Sequence, residues 1–362
     1  MVPAASSSPL PDFDHRQLAG IQVVRALAAL MVAIHHVQGD AAALAARFGL
    51  SYSPSHALPW MAGVDIFFVV SGFIMVHASR GLFGAPGGGK LFLMRRLARV
   101  VPLYWAATVL FLLTFALLPG VLNSAPQTLW QIAASFLFIP AIGTGGAILP
   151  VYSLGWTLNL EMLFYALFAL GLALPARACV ALVTGLLLAL VAASALAGPL
   201  PLPLSFWGQP IVLEFAAGMG IALLRGRGVQ LGGTTRWGLV LVAFLLLGFG
   251  QQMEMATTPF GALLLRGGPA LLLVAAAALG RGITAPSALV RSMARLGDAS
   301  YALYLVHPFA MRGLREMFLW AGFAQPVLYV VVALLAAIVA SVLVWRGFER
   351  PMTSVIRRRL NV

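Results

Sequence analysis

Arg25 and His36 stand eleven residues apart inside the first long apolar stretch, Leu18 to Gln38. On a helix that spacing comes within about 20° of a whole number of turns, so both side chains share a face, roughly 16 Å apart along the axis. Ionisable groups within an apolar span are costly unless paired or hydrated, so they mark a bundle interior or a cavity. A neutral imidazole accepts a proton from a hydroxyl at working pH, which makes His36 a candidate general base. His35 is its rival, about 80° away from the Arg25 face. Arg95 and Arg99, four residues apart in MRRLARVVPLYW, form a second candidate. Two guanidinium groups on one helical face make a fork for phosphate, whereas the alternative is an ordinary anchor to anionic headgroups.

Three further segments carry polar groups at depth. Glu161, in YSLGWTLNLEMLFY, lies about 13 Å from the outer start of its span, where it can orient a histidine, pair an arginine or act as an acid. Asp65 opens VDIFFVVSGF, in which Ser71 and Gly72 fall mid-span; small residues there favour close helix packing or contact with a threaded ligand. In GDASYALYLVHP, His307 precedes Pro308, with Tyr301 and Tyr304 on the same helix. The proline removes a backbone donor, so the carbonyl of Tyr304 needs another partner or lines a cavity.

The elements that position these groups are apolar. Of 362 residues, 61% are hydrophobic and 9% charged, and the mean hydropathy is +0.96, too little charge for a soluble surface. Runs of about 20 apolar residues recur along the chain, so the expected class is an all-α polytopic membrane protein. About ten transmembrane helices are expected, at 18–38, 60–79, 99–119, 152–174, 178–197, 209–224, 237–253, 263–280, 298–318 and 326–345. An even number puts both termini on one side. With that side cytoplasmic, eighteen Lys and Arg residues fall inside and four outside, as the positive-inside rule requires. The expected organisation is a tail at 1–17, a transmembrane domain at 18–346 and a basic cytoplasmic tail at 347–362. The apolar run Leu129 to Ile139, between Pro126 and Pro140, is too short to cross and is expected as an interfacial or re-entrant helix.

The formal charge of +13 does not indicate nucleic acid, because the basic residues sit in short connections between apolar runs rather than on a solvated domain. The single cysteine, Cys179, excludes an internal disulfide and a cysteine-based metal site. The first apolar run is too long and too charged for a cleaved signal peptide, so a retained helix is expected. Gly84 to Gly89 lacks the Lys-Ser/Thr of a phosphate loop and reads as a flexible turn.

In order, IQVVRALAALMVAIHHV, DIFFVVSGFIM, RRLARVVPLYW, SLGWTLNLEMLFY, LEFAAGMG, ASYALYLVHPF and FERP resemble the integral-membrane acyltransferases of family 3, which O-acylate bacterial surface and exported glycans. The resemblance runs from about Ile21 to Pro351. Its first-helix motif, an Arg and a His separated by ten residues, maps onto Arg25 and His36 and favours His36 over His35. Its Arg-x-x-x-Arg motif maps onto Arg95 and Arg99 and favours the phosphate reading. The resemblance implies an inner-membrane enzyme that takes an acyl group, expected to be acetyl, from cytoplasmic acyl-CoA to a sugar hydroxyl on the other side. The segment around Glu161 and the Leu-Glu-Phe near Glu214 resemble members associated with exopolysaccharide modification. On this scheme Arg25, Arg95 and Arg99 hold the CoA phosphates and His36 takes the acceptor proton. Glu161 orients the imidazole or stabilises the imidazolium, while His35, Asp65, Ser71, Tyr301 and His307 are further pocket candidates. Direct transfer and an acyl-histidine intermediate are both open, and neither requires a metal or a permanently bound cofactor. The competing class is a multi-pass transporter or flippase for a glycan or small molecule, with the same buried charges forming a substrate path.

Overall fold

The computed structural model describes residues 15–118, 127–196, 198, 200–250, 252–253, 258–282 and 286–362. Residues 1–14 of the expected N-terminal tail and Pro126 lie outside them. Every regular element among the described residues is helical; the sole extended pairing is one antiparallel bridge between Ile142 and Ile148. The helices are α1 (His15–Arg47), α2 (Ala62–Ala78), α3 (Gly88–Leu117), α4 (Leu129–Phe136), α5 (Trp156–Gly171), α6 (Ala176–Leu196), α7 (Leu204–Trp207) and α8 (Leu213–Gly226). There follow α9 (Gly233–Gly250), α10 (Pro259–Ala262), α11 (Gly268–Ala278), α12 (Ala288–Asp298), α13 (Ser300–Trp320), α14 (Pro326–Val344) and α15 (Arg350–Arg359). Wide π-turns at Leu263–Gly267 and Trp345–Glu349 join α10 to α11 and α14 to α15.

Each of the ten expected apolar segments coincides with a helix, and seven helices are long and apolar enough to cross a membrane. The other three depart for visible reasons. Helices α2 and α8 have 17 and 14 residues, and α13 carries Arg312, Arg315 and Glu316 in its last turns. Two ends also differ from expectation. Helix α1 continues past Gln38 to Arg47, and α3 begins at Gly88, so Arg95 and Arg99 lie inside a continuous helix rather than at its first turn. Helix α4 spans eight residues, about 12 Å and far short of a bilayer. Its Ser135 hydroxyl accepts from the backbone of Val151 at 2.8 Å, tying α4 to the segment that leads into α5.

Helix α2 is buried along most of its length and packs chiefly on α8 and α1. Its contact with α8 needs two glycines. A Cβ at Gly72 would collide with the carbonyl oxygen of Phe215, and one at Gly218 with the carbonyl oxygen of Val69. Small residues at such crossings let two backbones approach, the principal source of helix association where lipid removes the hydrophobic drive. The Phe215 ring completes the joint, stacked 4.4 Å from Phe164 of α5 and tilted at 4.7 Å from Phe68 of α2. Within 347–362, expected as a basic cytoplasmic tail, lie the end of the second π-turn and α15, which packs against α3.

Candidate functional site

Two cavities meet at Arg25 and Arg99. The deeper one, about 120 Å³, lies among α1, α2, α3, α5 and α13, and its polar lining includes Arg25, Arg96, Arg99, Ser71, Glu161 and Tyr301. The remaining wall is largely apolar, from residues such as Phe67, Phe68 and Ile74. The wider one, about 1040 Å³, has Arg95 and Arg99 of α3 on one side and α15 on the other, and Arg25 also reaches it. An extended ligand with an anionic head and an apolar arm therefore has a basic vestibule for the head and a chamber for the arm.

Side-chain hydrogen bonds hold the chamber. Arg25 donates to Gln22, one turn back on its own helix, and to the hydroxyl of Ser300 at the start of α13, both at 2.8 Å. One carboxylate oxygen of Glu161 accepts from Ser71 at 2.8 Å and from Tyr165 at 2.6 Å. Such charge-assisted bonds are about twice as strong as neutral ones. Tyr301 donates to the carbonyl of Val100 at 2.7 Å, fixing α13 against α3. The Arg96 guanidinium lies over the Phe92 ring at 5.6 Å, and its buried Nε–H has no acceptor among the described residues. Glu161 thus supplies negative charge among three arginines of the chamber wall.

His36 is elsewhere. Its Nδ1 lies 2.9 Å from the carbonyl oxygen of Val32. A carbonyl only accepts, so Nδ1 carries the hydrogen and the basic lone pair is on Nε2. The same arrangement recurs at His307, whose Nδ1 donates to Leu303 at 2.9 Å and whose ring also meets the Tyr304 carbonyl freed by Pro308. The two rings are 5.1 Å apart between centroids. His307 is fully buried, and its Nε2 has no partner among the described residues. His35 is exposed, edge-on to His36 at 5.2 Å. Beyond this pair, Asp40 holds Arg315 at 2.5 Å and accepts from Tyr329, joining the end of α1 to α13 and α14.

The structure therefore gathers Arg25, Arg99, Ser71, Glu161 and Tyr301 at one chamber, Arg95 at the vestibule, and His36 with His307 further along α1. It does not bring Glu161 to His36. The carboxylate is engaged by Ser71 and Tyr165, and the imidazole by its own helix. Asp65 also stays out of the chamber, buried 3.7 Å from Arg266, which the first π-turn carries. Ser71 and Gly72, alike in sequence as packing residues, divide: Gly72 packs, and Ser71 faces the chamber.

Residues 18–346 match the acyltransferase domain family. The chain belongs to this family. The exopolysaccharide production protein ExoZ of Rhizobium meliloti (strain 1021) is 37% identical over 274 residues, covering 73% of this chain and 81% of that protein. No solved structure matches. An acyltransferase needs a donor site and a proton acceptor, and the transporter reading gives way to it. In this multi-pass membrane acyltransferase, sequence reasoning passed over Arg96, Tyr165, Thr157 and Ser300, all of which line the chamber. Arg96 had a signal, since it adjoins Arg95 in a doublet; the hydroxyl residues had none, being ordinary in apolar helices.

Proposed function

We propose that this acyltransferase moves an acyl group, expected to be acetyl, from cytoplasmic acyl-CoA to a sugar hydroxyl of an exported or surface glycan. The observation that carries the reading is that vestibule and chamber share Arg25 and Arg99 in their walls, with His36 about 16 Å further along the helix that bears Arg25. A donor with its phosphates in the vestibule directs its thioester along that line. The name of the 37% identical relative, an exopolysaccharide production protein, supports a glycan acceptor. The asymmetry of eighteen basic residues on one side against four on the other supports ten spans in the inner membrane, with both termini and the vestibule cytoplasmic.

On this reading the acceptor hydroxyl attacks the thioester carbonyl and its proton passes to Nε2 of His36. The tetrahedral oxyanion collapses, the carbon–sulfur bond breaks, and the departing thiolate takes the proton back from the imidazolium. The products are the O-acyl sugar and free CoA. The Val32 carbonyl holds the tautomer that leaves Nε2 free for this task. Arg25 and Arg99 pair with phosphate oxygens through their planar donor arrays, and Glu161 offsets the guanidinium charge where the arm enters the apolar chamber. Mass spectrometry of exported and surface glycans from cells with and without the gene tests the proposal. One recurring mass difference is expected, naming the acyl group and its carrier. Identical glycan masses, with the protein present in the membrane, refute it.

A further inference from the structure

Helix α15, RPMTSVIRRR, is polar and basic and buries none of its residues. It nevertheless does not lie free at the membrane surface. It continues α14 through the π-turn Trp345–Glu349 and leans on α3, so that Arg350, Arg357 and Arg358 face Arg95 and Arg99 across the vestibule. With Arg25, six guanidinium groups line one cavity. The side-chain carboxylates lining it are Asp298 and Glu349, which leaves an excess of four positive charges among the lining side chains. Like charges converging on a concave space repel one another unless an anion fills it. The 3′-phosphate and diphosphate of coenzyme A together carry about four negative charges. Arg357 adds a buried Nε–H with no acceptor among the described residues.

We infer that α15 is the outer wall of the donor site and that Arg357 and Arg358 bind the 3′-phosphate of the acyl-CoA. The assignment rests on the acyl-CoA reading given above and follows from the order of groups along the donor. Arg25 and Arg99 line both cavities, so they mark the passage through which the arm reaches the chamber. The 3′-phosphate lies at the opposite end of the donor from the thioester and so belongs at the far wall. Arg359 provides an internal comparison. It belongs to the same last turn and is exposed, but it does not line the cavity.

The test uses the full chain in phosphatidylcholine nanodiscs and measures the Kd of coenzyme A and of 3′-dephospho-coenzyme A. The parent protein is expected to bind coenzyme A at least about tenfold more tightly, as charge-assisted phosphate contacts require. The R357Q/R358Q variant should bind both ligands with nearly equal Kd, R357K/R358K should restore part of the preference, and R359Q should retain it. Adding phosphatidylglycerol should leave the parent's preference in place. The inference is overturned if R357Q/R358Q keeps the full preference. It is also overturned if R359Q loses as much, or if anionic lipid abolishes the preference, since the helix then serves headgroups. The underlying reading fails separately: it is R95Q/R99Q binding coenzyme A as tightly as the parent that would sink the donor site itself.

Discussion

Replacing His36 by Gln removes the one side chain placed to take the acceptor proton while disturbing little else. The ring's protein hydrogen bond goes to Val32, four residues back in its own helix, and the side chain is only half-buried. The stability change should therefore stay within about 1 kcal/mol. His36 lines neither cavity, so the Kd for coenzyme A should be unchanged. The loss should fall on turnover. General-base catalysis contributes about 10²- to 10⁴-fold, equivalent to roughly 3–5 kcal/mol of transition-state stabilisation. The nearest substitute is His307, at 5.1 Å between ring centroids, whose unpartnered Nε2 would keep the loss toward the lower end of that range. The assay is transfer of labelled acetyl from acetyl-CoA to the native glycan acceptor in nanodiscs, with coenzyme A binding and thermal unfolding measured on the same preparation. A folded H36Q protein with kcat within about threefold of the parent would refute the reasoning. An equal loss from H35Q would transfer the role to the exposed neighbour.

Three further outcomes follow from the same geometry. R95Q/R99Q should raise the donor KM at least about tenfold, since each contact to phosphate contributes roughly 1.5–3 kcal/mol; an unchanged donor KM in steady-state assays returns both residues to headgroup anchoring. Gly72→Ala should lower stability by about 1–3 kcal/mol or more, because the new methyl meets the Phe215 backbone, whereas Gly220→Ala has open space. Equal melting temperatures for the two in detergent would remove the close α2–α8 crossing. Asp40→Ala removes the acceptor shared by Arg315 and the Tyr329 hydroxyl but leaves them Glu316 and the Met311 carbonyl, so stability should fall by about 1–2 kcal/mol, read as thermal unfolding; no shift would show that the cluster is fully hydrated.

Local periodicity determined a good deal from the sequence alone. A helix repeats every 3.6 residues whatever surrounds it, so Arg25 with His36, and Arg95 with Arg99, could be placed on common faces before any fold was known. Apolar length marked where helices lie, because a bilayer demands internally satisfied backbone over a set thickness. What periodicity leaves open is the rotation of each helix about its axis and the identity of its neighbours. The inward turn of His36 and outward turn of His35 are one residue apart in sequence and are decided by how α1 packs on α13. The meeting of His36 with His307, of Asp65 with Arg266, and of Ser71 with Glu161 joins segments far apart along the chain. Glu161 hydrogen-bonds Ser71 and Tyr165 rather than His36, a choice of partner that spacing along one helix does not encode. Residues 347–362 read in sequence only as a basic cytoplasmic tail, and only the fold placed Arg350, Arg357 and Arg358 at a cavity shared with Arg95 and Arg99. Spacing is a property of one helix, whereas a site depends on the packing between helices, where shape and charge select one arrangement from many with the same periodicity.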